Sequence, residues 1–171
     1  MKRRTQLIAG IFLCLALAPS GITQNRSAAP ASAAKEKVVT SHGSGTFDVK
    51  LTPQADDGAA AGLGRMSIEK QFHGDLEGTS NGFMLSSAAT IVKGSGGYVA
   101  MERVTGKLRD RSGSFVLQHS GTMTQGTPQM SITVVPDSGT GQLVGLAGSM
   151  TIKVEAGKHS YDVEYTLPEA P

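Results

Sequence analysis

"RMSIEKQFHGDL", Arg65 to Leu76, decides how the chain is read. Met66, Ile68 and Phe72 fall on one side of an alternation, and Ser67, Glu69, Gln71 and His73 fall on the other. A period of two is the signature of a half-buried β-strand, whose successive side chains point to opposite faces. One residue breaks the apolar side: Lys70 stands between Ile68 and Phe72. Gly74 follows, and a glycine inside a strand pattern marks a bend or bulge, so the stretch reads as one curved strand with a polar outer face.

The same alternation recurs on both sides of it. Phe47, Val49 and Leu51 share a face of "TFDVKL" (46–51), opposite Thr46, Asp48 and Lys50. "FMLSSAATIV" (83–92) and "YVAMERVTG" (98–106) are apolar on both faces, the pattern of strands whose outer side is also covered. "SFVLQHSGTM" (114–123), "QMSITVV" (129–135), "SMTIKVE" (149–155) and "HSYDVEYTL" (159–167) complete eight strands, with no helical period over ten or more residues. Gly121 and Gly148, like Gly74, read as bends or bulges.

Short connections between successive strands imply antiparallel neighbours, since parallel pairing needs long crossovers. An open sheet of this size would expose unpaired edges to other chains, and closure removes them. The expected fold is therefore all-β, a closed eight-stranded antiparallel meander barrel, with a two-sheet sandwich as the competing arrangement. A barrel of eight strands is just wide enough to be filled by side chains or to hold one small ligand.

The N terminus is of another kind. Met1-Lys2-Arg3-Arg4 precedes an apolar run from Leu7 to Ala18 and then Pro19-Ser20-Gly21. A basic start, a dozen apolar residues and small residues after them form a signal peptide, expected over 1–21, with an uncleaved anchor as the alternative. Cys14, the single cysteine, lies inside that run, so the mature chain would have no thiol and no disulfide, and must be held by its own core. Residues 22–42 read as a flexible linker, 43–168 as the barrel domain and 169–171 as a tail. The protein is expected to be exported, periplasmic or secreted.

Four of the 16 basic residues precede Lys35, so 12 remain against 14 acidic ones, a net charge of −2 for the mature chain. That balance, with no tryptophan and few aromatics, lacks the basic footprint of a nucleic-acid binder. After leader removal no stable membrane insertion is expected, and no cofactor.

The series "GRMSIEKQFHGDLEGTS", "GYVAMERVTGKL", "SGSFVLQHSGTM", "VVPDSGTGQLVGLAGSMTI" and "GKHSYDVEYTL" runs in this order within Gly43 to Leu167. It resembles a bacterial family of small proteins carrying a domain of unknown function, family 3224. The resemblance implies a closed eight-stranded meander of the allene oxide cyclase barrel type, calycin-like in outline. "GTGQLVGLAG" (139–148) also looks like the glycine-rich stretch that cyclase and dirigent barrels carry before a late strand. It implies no catalytic residues, because the family has none agreed.

Alternation itself nominates the site. Polar residues sharing the apolar faces are Lys70, Glu102 and His119, together with His159, Tyr161 and Tyr165. Buried charges require partners, so Lys70 and Glu102 should be paired, lie at a barrel mouth, or face the other way. His119, Glu102 and Tyr161 are the catalytic candidates, able to move protons on a small apolar substrate. Lys70, Glu102, His119, Tyr161 and Tyr165 are the ligand-binding candidates. His73 and Asp75, two apart, could offer a metal two ligands, too few for a tight zinc site, so no metal is expected. "KLRDR" (107–111) reads as a solvated hairpin tip and "GSGG" (94–97) as a turn.

Function follows from the architecture as an expectation: an exported barrel that binds a small, largely apolar molecule within or at the mouth of the barrel. A cofactor-free isomerase or cyclase is the alternative, and a structural or interaction barrel with a packed interior is the third.

Overall fold

The computed structural model describes residues 39–55, 62–87 and 91–168. The expected signal peptide, residues 22–38 of the expected linker, and the tail 169–171 lie outside the described residues, as do residues 88–90. Eight strands follow in order: β1 Thr40–Pro53, β2 Gly64–Gly74, β3 Leu76–Ser87, β4 Gly96–Leu108, β5 Arg111–Thr124, β6 Thr127–Val134, β7 Ala147–Glu155 and β8 Lys158–Thr166. They form a closed antiparallel barrel in sequence order. Closure is made by β1 against β8, from Thr40 opposite Thr166 to Phe47 opposite His159. β1 begins at Thr40, ahead of the Gly43 start expected for the barrel.

Where β6 and β7 meet, the ladder is reduced to Thr133 opposite Ser149. The chain after β6 stays on β5 instead: the Val135 amide bonds to the Val116 carbonyl and the Thr140 amide to the Ser114 carbonyl. It then makes a short 3-10 turn, Gly141–Leu143, and brings Leu143 and Leu146 into the core with Leu76, Leu108 and Phe115. This plugs one end of the barrel. Burying five such side chains at about 1.5–3 kcal/mol each favours that closure strongly.

Arg65 to Leu76 corrects the first expectation. Arg65 to Gly74 is nearly all of β2, but the chain does not run on as one curved strand: it turns at Gly74 and Asp75 and enters β3 at Leu76. Gly74 has φ +110°, a backbone that L side chains rarely adopt, which is why glycine stands there. β3 accordingly starts at Leu76 and not Phe83, and it ends at Ser87, short of the Val92 expected. Gly121 and Gly148 are not bends either, since both sit in regular register, opposite Tyr98 and Tyr165.

Tyr161 closes the corner from the far end of the chain. Its hydroxyl accepts a hydrogen bond from the Leu76 amide at 2.8 Å and lies 3.3 Å from the His73 and Leu76 carbonyls. A Cβ on Gly45 would stand 2.5 Å from that oxygen, so the glycine leaves it room. Tyr161→Phe would orphan the Leu76 amide, and the expected loss is about 1–3 kcal/mol in urea unfolding. A loss within about 0.5 kcal/mol, ordinary for a surface change, would show that the corner holds without the tyrosine.

The arginines of "KLRDR" also do more than meet solvent. Arg109 lies at the two-residue turn between β4 and β5, and its guanidinium bonds to the His42 carbonyl and faces Asp75 at 3.7 Å. Arg111 reaches the Pro168 carbonyl at 2.6 Å. Both tie chain segments together at the plugged end. On the outer wall, Phe83, Leu85, Val99 and Met101 pair across β3 and β4 and remain about half exposed, where the sequence pattern implied cover. The guanidinium of Arg65 lies 4.4 Å from the Phe83 ring centroid and covers part of it.

Candidate functional site

Four consecutive strands each place one polar side chain inside the barrel. Lys70 comes from β2, Ser80 from β3, Glu102 from β4 and His119 from β5, all on inward faces; Lys70 and Glu102 stand between apolar side chains, Ser80 between Gly78 and Gly82, and His119 between Leu117 and Gly121. The Lys70 ammonium bonds to Glu102 Oε1 at 2.8 Å, and His119 Nε2 meets the same oxygen at 3.0 Å. Ser80 Oγ donates to Glu102 Oε2 at 3.0 Å. Glu102 is 1% exposed and Ser80 1%, so a carboxylate sits in the interior with both oxygens used. The Lys70 ammonium also lies 4.9 Å from the Phe47 ring centroid and 5.7 Å from that of Phe72.

Burial alone would raise the Glu102 pKa. The His119 hydrogen bond and the charges of Lys70 and His119 outweigh it and hold the carboxyl at about 2. An ionised carboxylate can only accept hydrogen bonds, so His119 carries a proton on Nε2. No buried side-chain nitrogen or oxygen among the described residues lacks a partner. A general base works best with a pKa near the operating pH and a free lone pair facing substrate. Glu102 has its pKa far below neutrality and no exposed surface for a substrate to meet, so this network holds strands together more readily than it moves protons.

The opposite end of the barrel from Leu143 is open. Alternation directs Leu51, Met123, Met130 and Val154 inward like Phe47, Leu117, Ile132 and Met150, yet each is close to half exposed or more. Met123 and Val154 are the last inward residues of their strands, and beyond Leu51 and Met130 only the exposed Pro53 and Pro128 follow on that face, so no further layer covers them. A cavity of about 460 Å³ lies here, lined by Met84, Tyr98, Gly121, Met123 and Met130, with Ser86 and Gln129 among the polar groups. Gly121 is required by the ring beside it: a Cβ would come within 2.3 Å of Tyr98 Cε1. Burial raises the Tyr98 pKa, and the Glu102 charge, two residues along the same face, raises it further.

A family described as protein of unknown function, DUF3224, matches residues 43–165. The chain belongs to the DUF3224 family. It is similar to a crystal structure of a DUF3224-family protein of unknown function from Shewanella oneidensis MR-1, with 49% sequence identity and a TM-score of 0.72, covering 77% of this chain and 100% of that one. No curated protein matches the chain. Neither match names a cyclase, so the likeness to allene oxide cyclase barrels rests on strand count and the glycine-rich stretch alone.

This DUF3224 barrel gathers three of the residues nominated by alternation and disperses the rest. Lys70, Glu102 and His119 meet, and Ser80 joins them unforeseen, because it lies in "EGTSNG" (77–82), between the stretches read as strands, although Leu76, Ser80 and Met84 share a face. Tyr161 belongs to the β2–β3 corner and not to a pocket with Glu102 and His119. Tyr165 packs in the apolar core. His159 stacks its ring 5.0 Å from Phe47.

His73 and Asp75 part company at the DUF3224 corner. His73 faces Glu77 at 3.4 Å and Asp48 at 3.9 Å, while Asp75 accepts from the Ser44 amide at 2.9 Å and faces Arg109. The positive φ at Gly74 turns the chain between them, so they do not share a strand face as simple alternation implied. Among the described residues, no group of three or more His, Cys, Asp or Glu is placed to hold a metal ion.

Proposed function

We propose that this DUF3224 barrel binds a small apolar molecule at its open mouth. One observation carries the reading: the apolar, half-exposed inward ends of β5 and β6 surround a cavity of about 460 Å³, within the size range of small-molecule sites. Two hollows on the outer wall, of about 390 and 430 Å³, are lined by charged groups such as Arg103, Glu69, Asp48 and Lys50 and suit such a ligand less. The plugged end, packed with Leu143 and Leu146, leaves the mouth as the way in. The reading needs no cofactor, and it takes the protein as exported on its leader pattern alone.

The isomerase or cyclase alternative draws less support, since Glu102 is ionised and buried with both oxygens hydrogen-bonded, and Tyr161 stands apart from it. The test is thermal unfolding of the purified protein against a panel of uncharged apolar compounds, with native mass spectrometry of what copurifies. A ligand at a hundred times its Kd stabilises by about 2.7 kcal/mol, a shift of several degrees. Met130→Asp, at an exposed rim position, is expected to abolish that shift while leaving the free protein's midpoint in place. If nothing copurifies and no compound in the panel stabilises the barrel, the binding reading fails.

A further inference from the structure

We infer that the mouth selects an uncharged aromatic molecule over an anion or an aliphatic chain; this deepens the binding reading above and rests on it. The described residues that line the cavity include no charged side chain. An ion entering would lose water without gaining a counter-ion, a cost that apolar walls do not offset.

The walls favour an aromatic ligand. Met84, Met123 and Met130 present three thioethers around one space, and Tyr98 adds a ring beside them. Thioether sulfur makes favourable contacts with aromatic rings, commonly at the ring edge, and its unbranched chain adapts to the shape it meets. Rings also stack offset or edge-on against tyrosine. A saturated chain can exploit neither interaction. Ser86, Thr122 and Gln129 offer neutral partners for a hydroxyl or carbonyl on such a ring, which is the usual division of labour in a small-molecule site.

The cavity is held ready rather than assembled by the ligand. The Gly126 amide bonds to the Gly94 carbonyl at 2.8 Å and the Gln125 amide to Ser95 Oγ at 3.1 Å, so the turn joining β5 and β6 is fastened to the segment ahead of β4. Gly94 and Ser95 line the same cavity, which fixes that wall. A fixed wall favours rigid, flat ligands, because less ordering remains to be done on binding.

The experiment compares N-phenylnaphthylamine, anilinonaphthalene sulfonate and dodecanol on the purified chain. The first two share an aromatic body and differ by a sulfonate; the third is uncharged and aliphatic. N-phenylnaphthylamine is expected to saturate at about one dye per barrel and to bind about tenfold more tightly than the sulfonate. Dodecanol in about tenfold excess is expected to leave it bound. The double variant Met123→Leu, Met130→Leu keeps volume and removes sulfur; it is expected to weaken the dye about threefold with the unfolding midpoint retained. Equal or tighter binding of the sulfonate, or displacement of the dye by equimolar dodecanol, would overturn the aromatic and uncharged assignment while leaving apolar binding at the mouth intact. If none of the three binds, both this inference and the reading beneath it fall.

Discussion

Glu102→Gln is expected to cost the barrel about 3–5 kcal/mol in urea unfolding at neutral pH, the penalty typical of removing one partner from a buried ion pair. The substitution preserves shape and still offers an oxygen and an amide where His119 and Ser80 meet the carboxylate. What it removes is charge. The Lys70 ammonium would then sit over Phe47 and Phe72 with no anion beside it, in a place where its side chain is 6% exposed. An unpaired buried ammonium is costly enough that it must lose its proton or reach water.

The second variant separates lost charge balance from lost packing. Adding Lys70→Met to Glu102→Gln removes the stranded charge and fills a similar volume, so it is expected to restore about 2 kcal/mol or more. A single-variant loss under about 1 kcal/mol, or a double variant no more stable than the single, would show that the pair contributes little to the fold. In that event Lys70 and Glu102 would return to being candidates for chemistry, since stability would no longer account for burying them.

Legibility in the sequence followed distance along the chain. Phe47 with Val49, Met66 with Ile68, and Phe115 with Leu117 are nearest inward neighbours on a strand, so a period of two places them without any tertiary knowledge. Lys70, Glu102 and His119 were readable for the same reason, as polar residues on apolar faces. Their meeting at one carboxylate depends on the stagger of four strands, which alternation does not encode. Ser80 was hidden because Gly78 and Gly82 give its surroundings the composition of a turn, whereas the ladder needs glycines there for close approach to β4. Tyr161 was misplaced because its partner, Leu76, lies 85 positions away. The residues that line the mouth escaped notice for a related reason: Met123 and Met130 look like core residues until the stagger leaves them at an uncovered end.

Acid should undo the barrel through the same carboxylate. The Glu102 pKa is held at about 2 in the fold against an ordinary 4.5, so the unfolded chain binds the proton more readily. Its contribution is therefore complete above about pH 4.5 and is lost as pH falls toward 2, and at 1.36 kcal/mol per pH unit it amounts to about 3 kcal/mol. At the alkaline limit the sign reverses. Burial raises the pKa of Tyr98 and Tyr161, so the fold holds their protons more tightly than the unfolded chain does, and stability declines as pH rises past the ordinary tyrosine value of 10. The check is a series of urea unfolding curves between pH 5 and 2 on the wild type and on Glu102→Gln, Lys70→Met. The wild type should lose stability more steeply across that interval, and the variant, having no carboxyl at this position to protonate, should lose about 3 kcal/mol less. Parallel curves would mean that the interior network does not set the acid limit.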